Sequence, residues 1–118
     1  MKKQPHTKTG VNFEKLASST EVLRALAHPL RLRILKFIDS SKSVQVNIIY
    51  SALGLEQSIT SQHLRILRTS GLVRTQRAGK YIHYAVDYEK VSETHRAVGT
   101  FLSVGPEIIL EDDDEFEA

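Results

Sequence analysis

Residues 57–71, Gln57-Ser58-Ile59-Thr60-Ser61-Gln62-His63-Leu64-Arg65-Ile66-Leu67-Arg68-Thr69-Ser70-Gly71, constrain this chain more than any other stretch. Helical spacing sends Ile59, Leu64, Ile66 and Leu67 to one side and Ser58, Ser61, Gln62, Arg65 and Thr69 to the other. The apolar side demands a core to pack on. The opposite side carries short hydroxyls, an amide and a guanidinium, whose donors and acceptors suit base edges and phosphate oxygens. Any solvated helix face can carry the same residue types, so the flanking segments decide the reading.

Upstream, residues 44–53 are spaced for a helix with Ile48, Ile49, Ala52 and Leu53 inward. Gly54 then suits the left-handed conformation that ends a helix. A helix, a short turn with glycine and a second amphipathic helix over residues 57–70 make a helix-turn-helix. Ala52 is small where the two helices must cross. Beyond Gly71 the period falls from 3.6 to 2: Val73, Thr75 and Arg77 alternate with Arg74 and Gln76, and Ile82, Tyr84 and Val86 alternate with Tyr81, His83 and Ala85. Arg77-Ala78-Gly79-Lys80 joins the two strands as a turn with cations at its tip, placed to meet a sugar-phosphate backbone.

Before this unit, Phe13, Leu16, Ala17, Thr20, Leu23 and Ala27 follow helical spacing, with Val22 and Leu26 widening the apolar side, and predict a helix over about 12–26. Pro29 suits the first turn of the next helix, about 29–39, which buries Leu30, Ile34, Phe37 and Ile38, exposes Arg31, Arg33 and Lys36, and takes His28 as its cap. Asp87 caps a last helix reaching about Ser103, and Gly105-Pro106 closes the fold. Tyr88, Val91, His95, Val98 and Leu102 recur at alternating steps of three and four, a seam for a partner helix. The first helix, with Leu16 and Leu23, is also more apolar than one small core requires, so the terminal helices are expected to meet the same elements of a second subunit. His95 lies on that seam, where a lone histidine is more often packed than a pH or metal switch.

With 118 residues and 41% hydrophobic content, one small domain is expected over residues 11–104, between a polar, flexible stretch at 1–10 and an acidic, flexible tail at 105–118. Six of the 14 acidic residues fall in the last eight positions, which leaves 16 basic against 8 acidic residues and a charge of +8 on residues 1–110. A basic body with an acidic tail suits a polyanion, with double-stranded DNA the first candidate. Cysteine is absent, which excludes disulfides, thiolate ligands and cysteine nucleophiles. No apolar run nears the roughly 18 residues of a membrane span, and the start lacks a secretory apolar core, so a cytoplasmic protein without a membrane partner is expected. A Gly-rich phosphate loop, a metal-ligand cluster and a supported Ser/His/Asp set are all missing, so neither an enzyme nor a cofactor is expected.

The sequence at 23–35, Leu23-Arg24-Ala25-Leu26-Ala27-His28-Pro29-Leu30-Arg31-Leu32-Arg33-Ile34-Leu35, together with Ser61-Gln62-His63-Leu64-Arg65-Ile66-Leu67-Arg68, Gly71-Leu72-Val73 and Arg77-Ala78-Gly79-Lys80-Tyr81, closely resembles the ArsR-type (SmtB/ArsR) winged helix-turn-helix regulators. The match covers about residues 13–104. The resemblance implies a mainly α fold with a small β-hairpin, in the order four helices, two strands, one helix. It also implies a homodimeric repressor that leaves a palindromic operator when an inducer, unknown here, binds. Base-reading positions of the family fall on Gln57, Ser58, Ser61 and Gln62, and the wing contribution on Arg77 and Lys80. Arg65 joins them from the helical face as a phosphate contact, whereas His63 matches a position the family often fills with histidine and projects to the apolar side. The family's cysteine metal site near the third helix has no counterpart in residues 43–50, and its last-helix ligand positions align with Tyr88, Lys90, Phe101 and Val104, so no metal is expected. The competing reading is a winged-helix interaction module whose basic face holds an acidic partner or the chain's own acidic tail.

Overall fold

The computed structural model describes residues 10–111, with side chains as far as residue 103; the stretches 1–9 and 112–118, expected to be flexible, lie outside the described residues. The elements run α1 (Phe13–Leu26), α2 (Pro29–Ser41), β1 (Val44–Gln45), α3 (Val46–Leu53), α4 (Gln57–Thr69), β2 (Val73–Ala78), β3 (Tyr81–Val86) and α5 (Tyr88–Glu111).

Local chemistry sets most of these boundaries. The Asn12 carboxamide oxygen accepts from the Glu14 and Lys15 amides at 3.0 and 3.1 Å and so starts α1. At α2, Pro29 occupies the first turn and His28 Nδ1 accepts from the Leu30 amide at 3.0 Å, the capping role expected of it. Gly54 ends α3 at φ 66°, ψ 38°, while the Leu55 amide donates back to the Tyr50 carbonyl at 2.9 Å. Gly71 follows α4 at φ 90°, and a Cβ there would meet the Lys90 side chain at 3.3 Å, so both conformation and space call for glycine. Asp87 closes the circuit: its amide donates to the Leu72 carbonyl at 2.8 Å, and its carboxylate accepts from the Lys90 amide at 3.1 Å to start α5.

The sheet has three antiparallel strands in the order β1-β3-β2, where a two-stranded hairpin was expected. Val44 and Gln45, read as the start of the third helix, instead pair with Tyr84 and His83. A two-residue strand has no period to read; Val44, 6% exposed, is held by burial against the rest of the core. The hairpin pairs Val73 with Val86 through to Ala78 with Tyr81, so Gly79 and Lys80 alone form the turn.

The core centres on Ile34, Ile38, Ile49, Leu64 and Leu67, all wholly buried. Removing each such side chain from water contributes about 1.5–3 kcal/mol. Two expectations about it need correction, and a third about the length of the last helix. Ile48 and Ala52 of α3 are exposed, because α3 is only two turns long and Ile49 alone points squarely inward. Ile59 and Ile66 flank the buried stripe of α4 at 40% and 43% exposure, and Thr60 takes the inward place. Thr60 affords this because its hydroxyl donates to the Glu56 carbonyl at 2.9 Å. Finally, α5 runs on through Gly105 and Pro106 to Glu111, so residues 105–111, expected in the tail, are helical.

Candidate nucleic-acid interface

Three buried side chains, Thr60, Leu64 and Leu67, fix the rotation of α4, and that rotation turns Gln57, Ser58, Ser61, Gln62 and Arg65 outward; all five are exposed. Thr69 and Arg68 are exposed as well. The resulting surface offers three hydroxyls and two amides able both to donate and to accept, beside cations that only donate. At the hairpin tip Arg77 and Lys80 are exposed, and the Lys80 ammonium stands 5.4 Å from the Tyr81 ring centroid, a cation–π contact that holds the side chain across the tip.

The middle of α4 is tied to the α1–α2 corner by an arrangement that helical periodicity did not foretell. Arg31, expected on the solvated face of α2, is half-buried: its Nε donates to the Ala25 carbonyl at 2.7 Å and one terminal nitrogen to the Arg24 carbonyl at 3.3 Å. Both carbonyls lie in the last turn of α1, where helical donors run out; the Arg24 carbonyl also accepts from the Ala27 amide at 3.2 Å, and the negative end of the helix dipole favours a cation there. The other terminal nitrogen reaches His63 Nδ1 at 3.4 Å. Since arginine only donates, His63 presents a lone pair at Nδ1 and is neutral in this contact. The His28 ring lies 4.7 Å from that of His63, centroid to centroid. Burial first, then the neighbouring His28 and Arg31 charges, hold the His63 pKa below its ordinary 6.5. His63 is therefore packed on the inner side, as expected.

The residues named for the helix seam fall in two groups. Leu23, Tyr88, Val91 and Leu102 are large apolar side chains left exposed at 42%, 57%, 40% and 63%, and His95 is exposed with them. Leu16 and Val98 are half-buried. Within the chain α1 packs on α5, with Phe13 meeting Phe101 edge to face at 6.2 Å. The Tyr88 hydroxyl donates to the Asp39 carboxylate at the end of α2, a bond that raises the phenol pKa above its ordinary 10.0. Among the described residues no group of three or more His, Asp or Glu is placed to hold a metal ion. Tyr88, Lys90 and Phe101 lie on α5, and the Val104 side chain is outside the described residues. No described helix is long and apolar enough to cross a membrane.

A helix-turn-helix whose second member is anchored by its apolar stripe and polar on its free face, followed by a basic-tipped hairpin, defines a winged-helix DNA-binding protein. Residues 28–75 match the family model described as bacterial regulatory protein, arsR family. The transcriptional repressor PagR of Bacillus anthracis is 36% identical over 81 residues, 69% of this chain and 81% of PagR. Its crystal structure superposes with a TM-score of 0.62 at 30% identity, covering 70% of this chain and 95% of that one. An ArsR-like transcriptional regulator from Rhodococcus sp. RHA1 shares the fold at a TM-score of 0.73 and 20% identity, over 86% of this chain and 95% of that one. The chain belongs to the arsR family and is a DNA-binding transcriptional regulator.

Proposed function

We propose that the protein is a homodimeric repressor that reads a palindromic operator with Gln57, Ser58, Ser61 and Gln62, holds flanking phosphates with Arg65, Arg77 and Lys80, and leaves the operator on an inducing signal. The action is binding in the cytoplasm, without catalysis. The observation that carries this reading is the outward set of α4 side chains on a helix whose inner stripe is wholly buried. A reading surface must be held rigidly, because a shift of an ångström breaks paired donor and acceptor contacts to a base edge. Supporting the dimer are the apolar side chains left in water on α1 and α5, Leu23, Tyr88, Val91 and Leu102, with Leu16, His95 and Val98 beside them. A twofold pair would set two recognition helices about 34–36 Å apart, one turn of duplex.

The test compares variants on the selected operator and on a scrambled duplex. Ser61→Ala and Gln62→Ala are expected to cost about 1–3 kcal/mol on the operator and little on the scrambled duplex. Lys80→Ala is expected to weaken both alike and to lower the slope of log K against log salt by about one. Equal losses on the two duplexes for Ser61→Ala and Gln62→Ala would remove α4 from the reading role.

A further inference from the structure

Ala85 sits in the middle strand of the sheet, on the face opposite the buried Val73 and Val86. The register puts Arg74 directly across from it on β2; continued one residue back from the Val44–Tyr84 pair, it puts Ser43 on the β1 side. In the next row His83 lies between Gln45 and Gln76. A methyl group flanked by longer side chains leaves a hollow. That hollow is a cavity of about 520 Å³ lined by Lys42, Ser43, Arg74, Gln76, His83 and Ala85. Its outer walls are two strand spacings apart, about 10 Å, wide enough for a phosphate and its first waters.

The lining has one sign of charge. No carboxylate lines the hollow, and among the described residues neither Lys42 nor Arg74 is ion-paired. Lys42 also stands where its backbone is strained. At φ 67° and ψ −53°, with the Ser43 amide donating to the Ser41 carbonyl at 2.8 Å, it is the centre of a γ-turn of the positive-φ kind. That turn is rare for a residue with a Cβ and costs about 1–3 kcal/mol, a strain glycine would avoid. The chain nevertheless carries a cation at this position.

We propose that this hollow binds a phosphate group, apart from the contacts of α4 and the hairpin tip. Arg74 supplies a planar pair of donors matched to two phosphate oxygens, Lys42 a second charge, and Ser43 and Gln76 neutral hydrogen bonds. The phosphate comes either from a DNA backbone beside the site read by α4 or from a small phosphorylated molecule, and the chemistry of recognition is the same.

The experiment titrates inorganic phosphate into the isotope-labelled full-length protein, with chloride held at matched ionic strength as the control, and follows backbone amide resonances. Saturable shifts are expected at residues 42, 43, 74, 76, 83 and 85, and about tenfold weaker binding in Arg74→Gln and in Lys42→Gly, the loss of one charge-assisted contact. Lys42→Gly relieves the strained turn, so a fold at least as stable as the parent separates lost binding from lost structure. If DNA is the source, both variants also flatten the salt dependence of binding to a random duplex by about one in slope. A small phosphorylated ligand instead leaves that slope unchanged and the phosphate shifts intact on the DNA complex. Phosphate that moves these amides no more than chloride does, or equally in parent and variants, overturns the proposal. The phosphate titration contains no DNA, so its failure is distinct from failure of the operator reading.

Discussion

At the scale of single residues, the decisive groups are those whose protonation or hydrogen bonding fixes a junction. His28 and His63 both present Nδ1 as an acceptor, one to the Leu30 amide and one to Arg31. Since the folded His63 has a pKa below 6.5, the unfolded chain takes up its proton more readily. The stability this group contributes is fully present above pH 6.5 and is lost as pH falls from there through the lower folded value. Denaturant midpoints measured across that window should therefore fall with pH in the parent and fall less steeply in His63→Gln; parallel curves would show that the ring does not couple to folding. His28→Ala removes a cap and should cost about 1 kcal/mol without altering the denaturant m-value. The capping role of His28 was legible in sequence, because Pro29 marks the first turn and the preceding side chain is within local reach. The partner of Arg31 was not, since His63 lies 32 residues away and only the docking of α4 brings it near.

Among the elements, the helix ends were the most legible and the inner faces the least. Gly54 and Gly71 both sit at positive φ, but a Cβ at Gly54 meets nothing within 4 Å while one at Gly71 presses on Lys90. Gly54→Ala is accordingly expected to cost about 1 kcal/mol, the backbone penalty alone, and Gly71→Ala more. Thermal unfolding of the pair checks the order; equal losses would mean that Lys90 swings clear at no cost. The rotation of α4 is a sharper matter. The three-residue stripe Thr60-Leu64-Leu67 is narrower than the apolar set named from periodicity, and Ile59 and Ile66 flank it, both exposed, while α3, α2 and β2 pack on the helix. Leu64→Ala should cost about 2–5 kcal/mol, as for other large-to-small changes in a closed core, and its folded fraction should lose sequence preference as the reading face loosens. The outward positions of Ser58, Gln62 and Arg65 were legible all the same, since they lie away from Leu64 and Leu67 whichever residue fills the third inner place, while Gln57 is exposed at the first position of the helix and Ser61 at the edge of the stripe.

For the whole molecule, the proposed assembly is the property on which activity turns. Replacing Leu23 or Val91 by Glu places a charge in the apolar surface of α1 or α5 without entering the core, as both are already 40% or more exposed. Sedimentation should show a folded monomer, with operator affinity reduced by about a hundredfold or more because one half-site is held at a time. A dimer of unchanged affinity would remove these helices from the interface. Sequence by itself determined what depends on neighbours along the chain: helical and strand periods, the His28 and Asp87 caps, the glycine stops, and the polar outer face of α4. Tertiary structure decided the third strand at Val44 and Gln45, the Arg31–His63 link, the burial of Thr60 and the basic hollow over Ala85. The reason is range. A cap or a period is set by atoms a few residues apart, whereas a two-residue strand or a half-buried arginine takes its place only from surfaces that meet once the chain has closed on itself.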